Sequence, residues 1–166
     1  MNPNSKTINR ILLNKYLAVT KEETYQLAAK QLQSLLGGEN DPIAKMANMA
    51  AVIHEAFHFW WTGFYRVKDG ELILGPFQGP LACMHIAKGR GVCGTAWAED
   101  RTLVVPDVEE FPGHIACSAM SKSEIVVPIH EGEEVVAVLD IDSEHLATFD
   151  AVDQQYLEQL VRLIAE

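Results

Sequence analysis

The chain has 166 residues, 48% of them hydrophobic, and its 23 Asp plus Glu against 13 Lys plus Arg give a formal net charge of −10. That balance argues against nucleic acid as a partner, because a phosphate backbone demands a concentrated basic face, and no apolar run approaches the roughly 20 residues of a membrane span. A single domain over residues 1–166 is expected, able to bury roughly 70% of the unfolded chain's surface; with no signal-peptide pattern it is placed in the cytoplasm, taking a small ligand or a protein partner.

In chain order, Thr20 and Glu23 stand at capping-box spacing, and Tyr25, Ala28, Leu32 and Leu35 recur at helical period until Gly37 and Gly38. A second helix is predicted from Asp41 with Pro42 at its first position, lined by Ile43, Met46, Ala50, Ile53 and Phe57. From Phe59 the period changes: "FWWTGFYRV", the Asp69-Gly70 turn and "ELILGPF" predict a β-hairpin. A short helix is expected from Gly91 to Glu99 and an extended piece at "TLVVPDV". Two more strands, "EIVVPI" and "EVVAVLDID", flank a loop holding Gly132, and a helix from Asp150 to Glu166 buries Val152, Tyr156, Leu160 and Leu163. The order predicts an α+β domain, an antiparallel sheet flanked by helices.

Polar residues interrupt this apolar grammar. Asp140 and Asp142, two apart on one strand, share a face, and two carboxylates there require a cation, donors or a shared proton if that face is buried. Glu124 opens the partner strand, although register is not legible locally. Such a cluster suits an ammonium-bearing ligand or a carboxylic acid that protonates a leaving oxygen; strand ends facing solvent are the plainer reading for any single one. Trp61 and Tyr65 share a strand face and fit either the core or the wall of a site for a sulfur-containing group.

Three cysteines, Cys83, Cys93 and Cys117, are an odd number and do not suggest a static disulfide framework. Cys117 follows "GHIA" in a predicted loop, and Cys93 lies in "GRGVCGTAW" at a predicted helix N-terminus, where the dipole lowers a thiol pKa. Either could be a nucleophile on these grounds. A zinc site from the three thiols and His114 is disfavoured, since no C-x-x-C knuckle is present, and no metal is expected. His54 and His58, four apart on the second predicted helix, lack the glutamate placement of a zinc-protease helix and read as structural.

The stretches "GPFQGPLACMHIAKGRGVCGTAW", "FPGHIACSAMSKSEIVVPI" and "VLDIDSEHLATFD" resemble the free methionine-(R)-sulfoxide reductases, stand-alone GAF-domain enzymes acting on the free amino acid. The resemblance implies a GAF-like fold and an oxidoreductase that acts through a cysteine sulfenic acid and an intramolecular disulfide. It also implies a homodimer, thioredoxin as electron donor, and no other cofactor. Carried over by position, Cys117 matches the catalytic cysteine, Cys83 the resolving one and Cys93 a subsidiary thiol, while Trp61, Tyr65, Glu124, Asp140 and Asp142 fall on substrate-pocket positions. Glu124 or Asp142 is expected to donate a proton to the sulfoxide oxygen, and Asp140 to help hold the ammonium. The chain departs from the family pattern at Ser118, where an acid is usual, and at Met120 and Trp97, which are bulkier. The alternative is a non-catalytic GAF module that binds a small ligand and signals.

Overall fold

The computed structural model describes residues 19–114 and 119–165. Helix α1 (Lys21–Leu36) starts where the sequence indicates: Thr20 Oγ1 accepts from the Glu23 N–H and Glu23 Oε2 accepts from the Thr20 N–H. Its buried stripe is Tyr25, Ala28, Leu32 and Leu36, whereas Leu35 is 49% exposed. Spacings of three and four both suit a helix face, and the sheet beneath accepts only the second. Helix α2 (Pro42–Phe57) is capped by Asp41 Oδ1, which accepts from the Ile43 and Ala44 N–H groups. Met46, Met49, Ala50 and Ile53 are buried on it, while Ile43 is exposed and Phe57 packs at the edge of the core. The helix ends at His58 in the left-handed conformation (φ 55°), so the expected His54/His58 pair does not share a helical face.

The strands are β1 (Trp61–Lys68), β2 (Glu71–Gln78), β3 (His85–Ala87), β4 (Leu103–Val105), β5 (Ser123–Glu131) and β6 (Glu134–Ser143). Asp69 and Gly70, both at positive φ (52° and 85°), make the tight β1–β2 turn, as a hairpin whose turn matches strand twist requires. Helix α3 (Gly91–Glu99) and a 3₁₀ turn (Val108–Glu110) fill the crossover between β3 and β5. The sheet order is β3-β2-β1-β6-β5-β4, every neighbouring pair antiparallel. The central strand β6 lies between β1 and β5, and this is what positions the site.

The C-terminal helix differs from its expectation. It runs as α4 (Ala151–Leu160), breaks at Val161 and resumes as α5 (Arg162–Ala165). Its buried residues are Asp153, Leu157, Leu160, Val161 and Ile164, with Val152, Tyr156 and Leu163 at the margin. The stripe shifts because Asp153 is drawn inward: its Oδ1 accepts from Tyr25 Oη at 2.8 Å and its Oδ2 from Lys21 Nζ at 2.5 Å. With the Asp150 N–H also donating to Oδ2, this buried carboxylate has three donors and is satisfied, and the Tyr25 and Lys21 bonds tie α4 to α1.

One sheet face packs on α1, α2, α4 and α5, forming the larger core around Leu32, Met49, Ile53, Phe64, Leu139 and Ile141. The other face carries α3 and the loops, around Trp61, Tyr65, Leu72, Val126 and Val138. Among the described residues no helix is long and apolar enough to cross a membrane.

Candidate functional site

The second face holds a cavity of about 50 Å³, room for a few water molecules. Its floor follows from strand register. Asp142 pairs with Trp61 on β1 and with Glu124 on β5, and Asp140 pairs with Gly63 and Val126. Glu124, whose register the sequence could not fix, thereby joins Asp140 and Asp142 on one floor, directly opposite Asp142. Gly63 is required here: a Cβ would stand 2.4 Å from both the Trp61 ring and the Phe77 Cβ, so only glycine lets the indole lie across β1.

Aromatic rings form one wall. Trp61 stacks on Tyr65 and Phe77 at centroid distances of 5.9 and 5.3 Å. Both predicted residues are buried in the core and line the cavity, so the two readings of them coincide. They also tether the loop above: Trp61 Nε1 donates to the Pro80 carbonyl at 3.2 Å and Tyr65 Oη to the Cys83 carbonyl at 2.9 Å. Leu81 and Ala82 of that loop and His114 from the loop after the 3₁₀ turn close the top. Burial lowers the His114 pKa, opposed by the nearby Glu109 carboxylate.

The floor is electrostatically unusual. Glu124 and Asp140 are each 6% exposed, and burial first, then their mutual proximity and Asp142, hold Glu124 well above the usual carboxylate range. Asp140 is likewise raised, by burial and then by Asp142. Asp142 is pushed up to about 6 by burial, opposed by the Ser121 hydroxyl that donates to its Oδ1 at 2.5 Å. One Asp140 oxygen, Oδ1, is sealed from solvent with no hydrogen-bond partner. An orphaned oxygen of that kind is rare in folded proteins and marks a place for a donor or a cation. Of the two readings of these acids, solvent-facing strand end and buried cluster, burial holds for Glu124 and Asp140, while Asp142 is partly exposed.

Cys93 also departs from its expected character. It sits in the first turn of α3, but it is a buried free thiol, Sγ 3.9 Å from Glu124 Oε1. Burial, then Asp140 and Glu124, push its pKa up, so desolvation and like charge outweigh the helix dipole. Cys83, on the loop tethered by Tyr65, is disulfide-bonded, which removes it from the thiol-and-His114 zinc arrangement considered from sequence. Cys117 and Ser118 lie outside the described residues. The residues that could hold a metal are instead Cys93, Glu124 and Asp140, whose ligand atoms lie within 4.8 Å of one another.

Several lining residues escaped the sequence reading, among them Ser121, Arg90, Gly91 and Val92. Ser121 is the donor to Asp142; Arg90 and the first residues of α3 border the cavity. Only the "GRG" before a short helix signalled the latter, as a potential anion-facing helix start. Of the departing residues, Trp97 is buried with Lys88 Nζ 4.8 Å above its ring, and Met120 is half exposed.

The GAF domain family matches residues 46–166. The chain is 54% identical to GAF domain-containing protein A of Dictyostelium discoideum over 87% of this chain and 92% of that one. It is 44% identical to the free methionine-R-sulfoxide reductase of Escherichia coli, over 86% and 87%. The free methionine-R-sulfoxide reductase of Neisseria meningitidis, solved in complex with its substrate, superposes with a TM-score of 0.87 at 50% identity, covering 89% of this chain and 90% of that one. The chain belongs to the GAF domain family and, within it, to the free methionine-R-sulfoxide reductases.

Proposed function

We propose that this chain reduces free L-methionine (R)-S-oxide to L-methionine through cysteine chemistry, with thioredoxin restoring the thiols. The observation that carries the reading is the carboxylate floor, Glu124, Asp140 and Asp142, beneath the loop that bears Cys83. Three acids on one floor suit a ligand that brings a positive charge and needs a proton.

In this mechanism the Cys117 thiolate attacks the sulfoxide sulfur. Glu124, held protonated by burial and its neighbours, gives its proton to the sulfoxide oxygen. Oxygen passes to the cysteine: the substrate sulfur is reduced to the thioether, and Cys117 is oxidised to sulfenic acid. The Cys83 thiol condenses with it, releasing water and forming the disulfide. That Cys83 is disulfide-bonded while Cys93 is a free thiol supports this pairing. Thioredoxin then reduces the disulfide by thiol exchange, taking up the oxidising equivalents.

The orphaned Asp140 Oδ1 accepts from the substrate ammonium, and Asp142, hydrogen-bonded to Ser121, supports it. Arg90 and the start of α3 face the substrate carboxylate. A peptide-bound residue offers neither terminus, so the free amino acid is selected. The Trp61 and Tyr65 rings pack on the methyl and sulfur. We place the working enzyme in the cytoplasm as a homodimer.

Separated R and S sulfoxides, incubated with dithiothreitol and either wild type or Cys117→Ser, test the reading. Consumption of the R epimer alone, abolished in the serine variant, is the expected result. Reaction of neither epimer, with a small ligand retained through purification, points instead to a binding module.

A further inference from the structure

The proposed cycle leaves one buried nucleophile without a task. Cys93 is a free thiol, 4% exposed, and its Sγ and one oxygen each of Glu124 and Asp140 lie within 4.8 Å of one another. Tetrahedral zinc bound by one sulfur and two oxygens spaces those atoms roughly 3.3–3.6 Å apart, so closing on an ion takes about 1 Å of side-chain adjustment. A second observation points to a cation: the Asp140 carboxyl hydrogen-bonds with Cys93 and Glu124, yet its Oδ1 is buried with no partner. No lysine or arginine hydrogen-bonds or ion-pairs with the three ligands among the described contacts, and Arg90 is the cavity's lining cation.

We propose that Cys93, Glu124 and Asp140 form an inhibitory site for a borderline-soft divalent cation, Zn²⁺ by chemistry. One thiolate and two carboxylates coordinate it, with a fourth position open to the cavity. Binding sends the thiol proton and any carboxyl proton to solvent, and no electron moves. The ion uses the carboxylates that serve the ammonium and the proton transfer, so cation and sulfoxide exclude each other. That inhibitory half rests on the reductase reading; the coordination itself does not.

Metal-free, full-length protein with its thiols reduced by a phosphine is titrated with Zn²⁺ by calorimetry and with Cd²⁺ in the ultraviolet, where a cadmium–thiolate bond absorbs. The expected result is one ion per chain, a thiolate band, proton release, and affinity weakened about 100-fold in Cys93→Ser and Asp140→Asn. Cys83→Ser and Cys117→Ser bind as wild type does, and free methionine sulfoxide lowers the apparent Zn²⁺ affinity. Binding that survives in Cys93→Ser, or that disappears in Cys83→Ser or Cys117→Ser, overturns the site. Glu124→Gln reports on the same ligand set should the other variants fail to fold, and a wild type lacking the cadmium–thiolate band overturns the proposal without any variant. Turnover by metal-free enzyme that binds no Zn²⁺ removes this site and leaves the reductase reading; Zn²⁺ binding without turnover does the reverse.

Discussion

The two faces of one sheet, built from the same strands, each carry a hydrophobic cluster, and only the second adds buried carboxylates to it. On β6, Leu139 and Ile141 belong to the helix-covered core, while Asp140 and Asp142, each one residue away, belong to the cavity. The first face gains stability from apolar burial, with Leu139 and Ile141 fully enclosed. The second face buries charge-bearing groups whose pKa values rise in consequence. Stability is concentrated on one side and reactivity on the other, and alternation along a strand lets both sit within 10 residues.

Substitutions that respect this division sharpen it, and the largest effect belongs to the reactive side. Cys117→Ser is expected to lower kcat by on the order of 10³-fold or more with unchanged thermal unfolding, checked by single-turnover methionine formation. Glu124→Gln follows, at about 10²-fold or more in kcat/KM; activity of that variant equal to wild type assigns the proton to Asp142. Leu139→Ala, on the other face, is expected to cost about 2–5 kcal/mol in denaturant unfolding, while KM for the folded fraction stays put. A shift in KM there breaks the separation between the faces.

The next effect is smaller and depends on pH. Burial lifts Asp142 from 3.8 to about 6, so the folded chain binds that proton more tightly than the unfolded chain does. The resulting stabilisation is present below about pH 4 and is lost as pH rises through about 6. Asp142→Asn should therefore unfold about 1–3 kcal/mol harder than wild type near pH 8, with the difference vanishing near pH 4; equal pH profiles sink the idea. Smallest of all, Thr20→Ala removes one cap and should cost about 1 kcal/mol, with turnover unaffected.

Much of this was legible locally. The capping box at Thr20, the Asp41-Pro42 start, the Asp69-Gly70 turn and the Gly91–Glu99 helix all fall where the residues place them, since each is decided by contacts a few residues apart. Leu35 was misplaced, and of the C-terminal stripe Leu160 is buried while Val152, Tyr156 and Leu163 pack at the core's margin, because helical period admits adjacent faces. The Asp153 link to Tyr25 and Lys21, 128 and 132 residues away, then selects among them. Cys93 illustrates the same limit: its helix start is legible, but its pKa is set by carboxylates 31 and 47 residues further along.

By itself the sequence determined the element types, the strand face shared by Asp140 and Asp142, the pairing of Trp61 with Tyr65 on one face, and the family motifs, because period, turn chemistry and motif are written in neighbouring residues. Only the tertiary structure decided that Glu124 stands opposite Asp142, that Ser121 donates to that acid, and that Glu124 and Asp140 are buried while Asp142 stays partly exposed at the cavity's edge. Register and burial depend on strands far apart in the chain, and desolvation, the largest cause of every raised pKa on this floor, exists only once those strands have closed over it.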